Sequence, residues 1–434
     1  MKEISALIRE HKKEILSLAL DLRAHPEYGF VEKQSSSYIR SYWESIGLSV
    51  LGPYACTGLK AYIRGVEPGP CICLMGELDA VGCPNHPYAD RKTGAAHACG
   101  HYIQSAQVFA AACALQSLTD QFAGSIALLE VPAEEFIRIE ERMLLKKKGA
   151  ITYLSGKPEM LKEGVFDDVD MAIMIHAHPN TPDYRIFLEG SNLGFAARNI
   201  RFLGKIAHGA MPFEGKNALQ SATLFFAGVN ANRETFRDEE SIRIHPIITK
   251  GGTAVNCVPD DVRIETYVRG RTTEAIEKGC NVVDRCVDAA AEMIGCGYEI
   301  EKIPGYLPLS QNKAMSEVLA ETAGSILGND MVSYGVDSIG SSDVGDLSLL
   351  LPVIQPTMGG FRGSLHSEAF SPVDLETSCL LGGELLASYA LKLLGNHAER
   401  ARNVLDQFQP KMSKSQYFSY LDKGGKIHVD ERKA

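Results

Sequence analysis

The sequence predicts an α/β protein, a mixed-sheet main domain interrupted by a smaller α+β insert, and three observations carry that prediction. Cys71–Leu78, Ser125–Val131 and Val169–Ile175 are short, nearly continuous apolar runs, as covered strands of an α/β sheet would be. Residues 195–303 read strand–helix–strand–strand–helix–strand, the order of a separate ferredoxin-like sandwich. Acidic, imidazole and thiol side chains gather just beyond the apolar runs, in the crevice where open α/β sheets place ligands. The expected division is 1–189 for the first part of the main domain, 190–303 for the insert, and 304–434 for the second part with a C-terminal tail.

In chain order, residues 4–23 show helical spacing through Ile4, Leu7, Ile8, Ile15, Leu18 and Leu22. His25-Pro26 closes that segment, because a residue before proline avoids the helical region. A helix over Ser35–Ile46 with Gly47 as its C-cap follows, then strands at Leu59–Ile63 and Cys71–Leu78. A turn-rich loop, Gly82–Thr93, leads into Gly94-Ala-Ala-His-Ala-Cys-Gly-His101 and a small-residue helix over Ser105–Leu118. The next two strands end in Pro132-Ala-Glu-Glu135 and His176-Ala-His-Pro179. In the insert, a strand over 195–207, its stretch Ala197–Leu203 expected at an outer sheet edge, precedes His208-Gly-Ala-Met-Pro212 and a helix over Asn217–Asn230. Strands at Ser241–Thr249 and Val262–Gly270 flank a Gly251-Gly-Thr253 turn, and a helix over Thr273–Ile294 leads to a strand at Tyr298–Ile303. The returning chain carries a strand near Pro352–Thr357, then Gly359-Gly-Phe-Arg-Gly-Ser-Leu-His366, then a helix over Leu375–Leu394 that stops at Gly395. The polar tail offers Tyr417, Phe418 and Tyr420 as anchors.

The chain has 434 residues, 45% of them apolar, and a mean hydropathy of -0.07, which suits two or three globular domains. A net charge of -10 and a pI near 5.7 argue against nucleic acid or anionic membrane as the main partner. Eleven cysteines form no disulfide framework, and Cys71, Cys73 and Cys113 lie in apolar runs. Reduced thiols in a cytoplasmic protein are therefore expected. The charged, amphipathic start has no signal-peptide core, and no apolar run reaches membrane-spanning length.

Cys99 and His101 stand at the mouth of a helix, where a thiol pKa is lowered. Taken alone, they read equally as a buried cysteine beside a capping histidine. Glu134 and Glu135 close a buried strand, where adjacent carboxylates are costly unless something compensates their charge. They are either a solvated loop start or a metal ligand beside a general base. Asp79, the Glu134–Glu135 pair and His176 at three strand ends together point to a metal or acid–base centre. A thiol with several imidazoles suits zinc, manganese, cobalt or nickel better than magnesium or calcium. His25 and His178 read as surface or capping histidines, His97 as a structural neighbour, and Lys146–Lys148 as a solvated face. Cys83 and His86 are candidates for lining a pocket. Arg362 is read equally as a partner for a substrate carboxylate and as a surface charge.

Gly76-Glu-Leu-Asp-Ala80, His97-Ala-Cys-Gly-His101, Pro132-Ala-Glu-Glu135, His176, Gly204-Lys-Ile-Ala-His208, Gly251-Gly-Thr-Ala-Val-Asn256 and His366 occur in that order. The set resembles a co-catalytic metallo-amidohydrolase family that includes hippurate hydrolase, auxin-conjugate hydrolases, aminobenzoyl-glutamate hydrolase and related aminoacylases and carboxypeptidases. The resemblance runs to about Leu394, and Ser341–Ser348 is most similar to the aminobenzoyl-glutamate hydrolase branch. It implies a metallopeptidase-like catalytic domain with an inserted lid and dimerisation domain, hence a homodimer. It further implies two divalent ions per subunit, manganese or zinc first, held by Cys99, His101, Glu135, His176 and His366. Glu134 is then the general base and His208 a lid residue that contacts the scissile carbonyl, in the neighbouring subunit's site. Asp79 orients the site, and Asn256, Arg362 and Gly360 bind substrate. The implied reaction is hydrolysis of an N-acyl or N-aroyl amino acid, or of a short dipeptide. Two departures stand out: Tyr102 replaces the family's Asp or Asn, and 136–158 replaces a glycine-rich turn. They motivate a rival reading as an aryl amine deaminase; the other rival is a non-catalytic binding protein.

Overall fold

The strand Glu67–Glu77 is buried along its last eight residues, Pro70–Glu77, and the larger of two units is built on it. A computed structural model describes residues 2–337, 340–424 and 427–430. The larger unit comprises the chain up to Ser191, Ser310–Asp337 and Asp346–Lys411; the smaller comprises Asn192–Leu309, the stretch up to Gly345 and the tail from Met412.

In the larger unit, a six-stranded sheet runs in the order Leu51–Tyr54, Gly58–Arg64, Ala123–Val131, Glu67–Glu77, Met171–Ile173, Val353–Ile354. The first pairings are antiparallel and the last three parallel, so the sheet is mixed. The apolar runs fall in its middle because both faces are covered there. His101–Leu115 is helical and buried at every residue, which explains its lack of a polar face. It packs against the helix Leu375–Gln407, where a Cβ on Gly383 would lie 2.4 Å from Ala110 Cβ, so only glycine permits the approach. That second helix is broken at 395–398, where Asn396, His397 and Ala398 are left-handed.

Two local expectations change. The first predicted helix is two, Lys2–Glu10 and Lys12–Ala24, parted at His11. The predicted strand Val169–Ile175 stops at Ile173, and His176–Ala177 joins a second, four-stranded sheet beside Thr357–Met358. The apolar run continues through Ile175, past the end of the strand at Ile173, so hydropathy alone does not reveal the change of sheet.

The smaller unit is an antiparallel sheet in the order Arg243–Lys250, Asp261–Gly270, Gly194–Leu203, Gly297–Pro304, Ile427–Asp430. With helices Ala218–Asn232 and Thr273–Ile294, its first four strands give the ferredoxin-like order. The core takes Phe202, Phe225, Val262, Val283 and Val287 from strands and helices alike. Ala197–Leu203, expected at an outer edge, is interior: Gly194–Leu203 pairs on both sides. The open edge is Arg243–Lys250, with Ile247 and Ile248 half exposed. The tail, expected with the main domain, adds a fifth strand against Gly297–Pro304 and covers what would be an edge. Four residues are too few for a period to show in the sequence.

Candidate metal centre and active site

Most site residues of the larger unit sit at a strand end or a helix start, while His366 lies in the loop between Phe361–Arg362 and Ser371–Pro372. Gly100, left-handed at φ 93°, turns the chain so that Cys99 and His101 flank the start of the buried helix. Glu77 ends its strand and Asp79 follows it; Glu134 and Glu135 follow Ala123–Val131. His366, left-handed at φ 61°, is half exposed, and its N–H donates to Ala98 O at 2.8 Å.

Two sets of donor atoms, each within 4.8 Å of one another, share the Cys99 thiol: Cys99, His101 and His176, and Cys99, Glu135 and His366. A third set joins Glu77, His101 and Glu134. Cys99 Sγ lies 3.5 Å from His176 Nε2, and Glu135 Oε1 lies 3.0 Å from His366 Nε2. His101 Nδ1 donates to Asp79 O at 2.9 Å and faces Asp79 Oδ1 at 3.1 Å; His176 Nδ1 donates to Ala177 O at 2.9 Å. Fixing Nδ1 in this way turns Nε2 inward, as in histidines prepared to bind a metal. His101 Nε2, fully buried, has no hydrogen-bond partner among the described residues, although Glu77 Oε2 is 3.3 Å away.

The electrostatics ask for positive charge. Burial and the Glu135 carboxylate push the Cys99 thiol up, yet His176 and His101 outweigh them and leave it at about 6. Burial disfavours a charged His366, but Cys99 and Glu135 raise it to about 11. Burial likewise opposes a charge on His101, yet Glu77 and Cys99 hold it well above the usual imidazole range. Burial raises Glu135, and His366 and His101 overcome that to hold it near 2. Burial also opposes a charge on His176, and Cys99 raises it, so carboxylates and a thiolate draw protons onto three imidazoles, which is what a donor set for cations does without one. A thiolate common to two triads, an inward Nε2 lacking a partner and a carboxylate form a donor set that fits two divalent ions.

A profile of peptidase family M20/M25/M40 matches residues 73–392. The chain belongs to that family. It is a metal-dependent M20 hydrolase acting on C–N bonds, which removes the non-catalytic reading. The N-acyl-L-amino acid amidohydrolase of Geobacillus stearothermophilus is 26% identical over 318 residues, 71% of this chain and 80% of the relative. One of the component polypeptides of the Escherichia coli p-aminobenzoyl-glutamate hydrolase is 28% identical over 321 residues, 70% of this chain and 61% of that protein. The crystal structure of the Bacillus subtilis YXEP protein, a dinuclear metal-binding peptidase of the M20 family, superposes with a TM-score of 0.69 at 23% identity. It covers 89% of this chain and 99% of that one. The M20 fold, mixed sheet with separate antiparallel sheet, is therefore shared.

The remaining candidates divide between the units of this M20 chain. His208 and Asn256 lie together in the smaller one: His208 bridges to Cys257, and Gly209 N donates to Asn256 O at 2.7 Å. Arg362 is exposed on a short pair of strands with Ser371–Pro372, beside Gly360. Gly360 is left-handed at φ 96°, and a Cβ there would meet the Tyr184 ring at 2.4 Å, so the turn itself requires glycine. Tyr102 is buried in the core, its ring 5.5 Å from that of His97, away from the donor atoms. His86 Nε2 donates to Phe370 O at 3.0 Å; His178 contacts Thr357 Oγ1 at 2.9 Å and stacks on Phe187.

Sequence reading missed Glu77, Lys157 and Arg142. Lys157, fully buried, reaches Glu77 Oε1 at 2.6 Å. Burial raises Glu77, but Lys157 and His101 hold its carboxyl below the usual range. A lysine in a polar stretch resembles any surface lysine, so only the fold reveals it.

Proposed function

We propose that this M20 hydrolase cleaves the amide bond of an N-acyl or N-aroyl amino acid of the aminobenzoyl-glutamate kind, or of a short dipeptide. The observation that carries the reading is the pair of donor triads sharing Cys99, with Glu134 beside His101. The activities of the acyl-amino-acid and aminobenzoyl-glutamate relatives support the substrate class. Cys99, His101, Glu135, His176 and His366 would hold two divalent ions, manganese or zinc first. Such a pair supplies Lewis acidity and an acidified water when bound.

The chain's own groups perform the proton work. Glu134 takes a proton from the attacking water and passes it to the leaving nitrogen. Asp79 orients His101 through Nδ1 and keeps its Nε2 directed inward. His208 donates to the developing oxyanion. Arg362, aimed by the Gly360 turn, and Asn256 take the substrate's carboxylate or carbonyl. The protein acts as a homodimer through the smaller unit, whose open Arg243–Lys250 edge a second copy would cover. No observation at Tyr102 favours deamination, because that side chain is in the core.

Elemental analysis of protein purified without chelator, with turnover of an acyl-amino-acid panel, tests the reading. Glu134→Gln should abolish turnover at nearly unchanged metal content, whereas Glu135→Gln should lose both. Zero metal, or equal metal loss in both variants, refutes the assignment.

A further inference from the structure

The short turn that carries both acidic residues is held from outside by buried polar side chains, Glu32 and Asp79 from far along the chain and Arg142 from the helix that follows. Ala133 is left-handed at φ 54°, a conformation that a non-glycine residue keeps only when its surroundings fix it. Its N–H donates to Glu32 Oε1 at 2.8 Å, and Glu32 Oε2 accepts from Thr57 Oγ1 at 2.7 Å. The N–H of Glu135 donates to Asp79 Oδ2 at 2.9 Å. Arg142 supplies the other half: Nη1 donates to Leu154 O at 2.7 Å and Ala133 O at 3.3 Å, and Nη2 donates to Glu135 O.

Both the N–H and the C=O of Ala133 and of Glu135 are therefore bound by buried polar side chains, those of Glu32, Asp79 and Arg142. Glu134, between them, has its backbone fixed on each side. Arg142 comes from Ile139–Lys147, in the segment that departs from the family pattern, and is the buried residue of that helix. Its guanidinium also lies over the Phe30 ring, 5.3 Å from the centroid. A planar fork spanning three carbonyls is a task lysine cannot perform.

We propose that Arg142 and Glu32 are positioning residues that lock the Pro132–Glu135 turn, so that Glu134 and Glu135 keep their places for chemistry and for cation binding. The proposal rests on the roles given above to those two carboxylates. Three measurements test it: amide hydrogen exchange over 133–137, a manganese binding isotherm on metal-free protein, and kcat with KM on the fastest panel substrate. The first two need no substrate, so a wrong substrate class leaves them decisive.

Arg142→Met should speed exchange over 133–137, weaken manganese binding at least about tenfold, and lower kcat on the order of 10²-fold, the scale of a misplaced catalytic group. KM should change less than about threefold, since uniform binding is untouched. If Arg142→Met does not fold, Arg142→Lys decides, because it keeps the charge and stem yet should still lose kcat and manganese affinity. Glu32→Ala should show the same losses. Glu32→Gln, which retains the acceptor for Ala133, should stay within about threefold of wild type in kcat. Folded Arg142 variants with wild-type exchange, manganese affinity and kcat overturn the proposal, as does Glu32→Gln falling as far as Glu32→Ala.

Discussion

Replacing Lys157 by methionine removes the cation from a fully buried ion pair and leaves Glu77 ionised in the interior. At 2.6 Å the attraction is roughly 6 kcal/mol for an effective dielectric near 20. Desolvating each ion costs several kcal/mol, so the intact pair contributes little beyond an apolar pair of the same volume. Removing one partner is different, because the remaining charge keeps its desolvation cost and loses its compensation. Lys157→Met should therefore destabilise the larger unit by about 3–5 kcal/mol. The double variant Lys157→Met/Glu77→Met should cost clearly less than the single one, about 1–2 kcal/mol, the remainder being Glu77's lost contacts with Gln104 Nε2 at 3.2 Å and His101 Nε2 at 3.3 Å. Urea unfolding of metal-free protein measures both, since chelation removes stabilisation by ligand binding. Trp43 is the sole tryptophan, fully buried in the larger unit, so its emission reports that unit alone. If the double variant loses as much as the two single ones added together, the pair is not coupled and the reasoning fails.

Two further outcomes follow from the same interior and from the dimer reading. Burial pushes Glu130 up to about 8, against the Ser105 hydroxyl and with help from Glu77. Its folded pKa lies above the unfolded value near 4.3, so its contribution is full below that value and is lost as pH rises through about 8. Glu130→Gln should thus gain on wild type by up to roughly 1.4 kcal/mol per pH unit between those limits. Parallel urea midpoints from pH about 5 to about 8 would sink that claim. Glu134→Gln and His208→Ala should each be nearly inactive, yet an equimolar mixture refolded together should regain roughly a quarter of wild-type activity, for random pairing of a symmetric dimer. Confirmed mixed dimers without activity would place His208 in its own chain's chemistry or in none.

The sheet and the insert were legible because each leaves a local mark. Cys71–Leu78 is a covered strand by its apolar run, and Thr273–Ile294 a helix by its spacing, and both stand where expected. Cys99 and His101 drew notice at a helix start, and Glu134, Glu135 and His176 at strand ends, because thiol, imidazole and acid are unusual there, whereas His366 entered only through the family resemblance. What stayed hidden depends on pairing between remote segments. Ala197–Leu203 alternates as an edge strand would, yet it takes partners on both sides, one of them from beyond residue 296. Lys157 and Arg142 look like the neighbouring lysines and arginines, and nothing local tells a buried cation from a solvated one.

The segment 136–158 illustrates why a departure in sequence need not be a departure in chemistry. Its helix, Ile139–Lys147, buries Arg142 while Leu144 stays largely exposed, so apolar burial supplies little of its stability. A nine-residue helix is marginal by itself in water. Arg142 ties it to the carbonyls of Ala133, Glu135 and Leu154 and to the Phe30 ring. The same bonds hold Ala133 in a conformation it would otherwise leave. Helix and turn are therefore each other's support: loosening either one loosens the acidic pair.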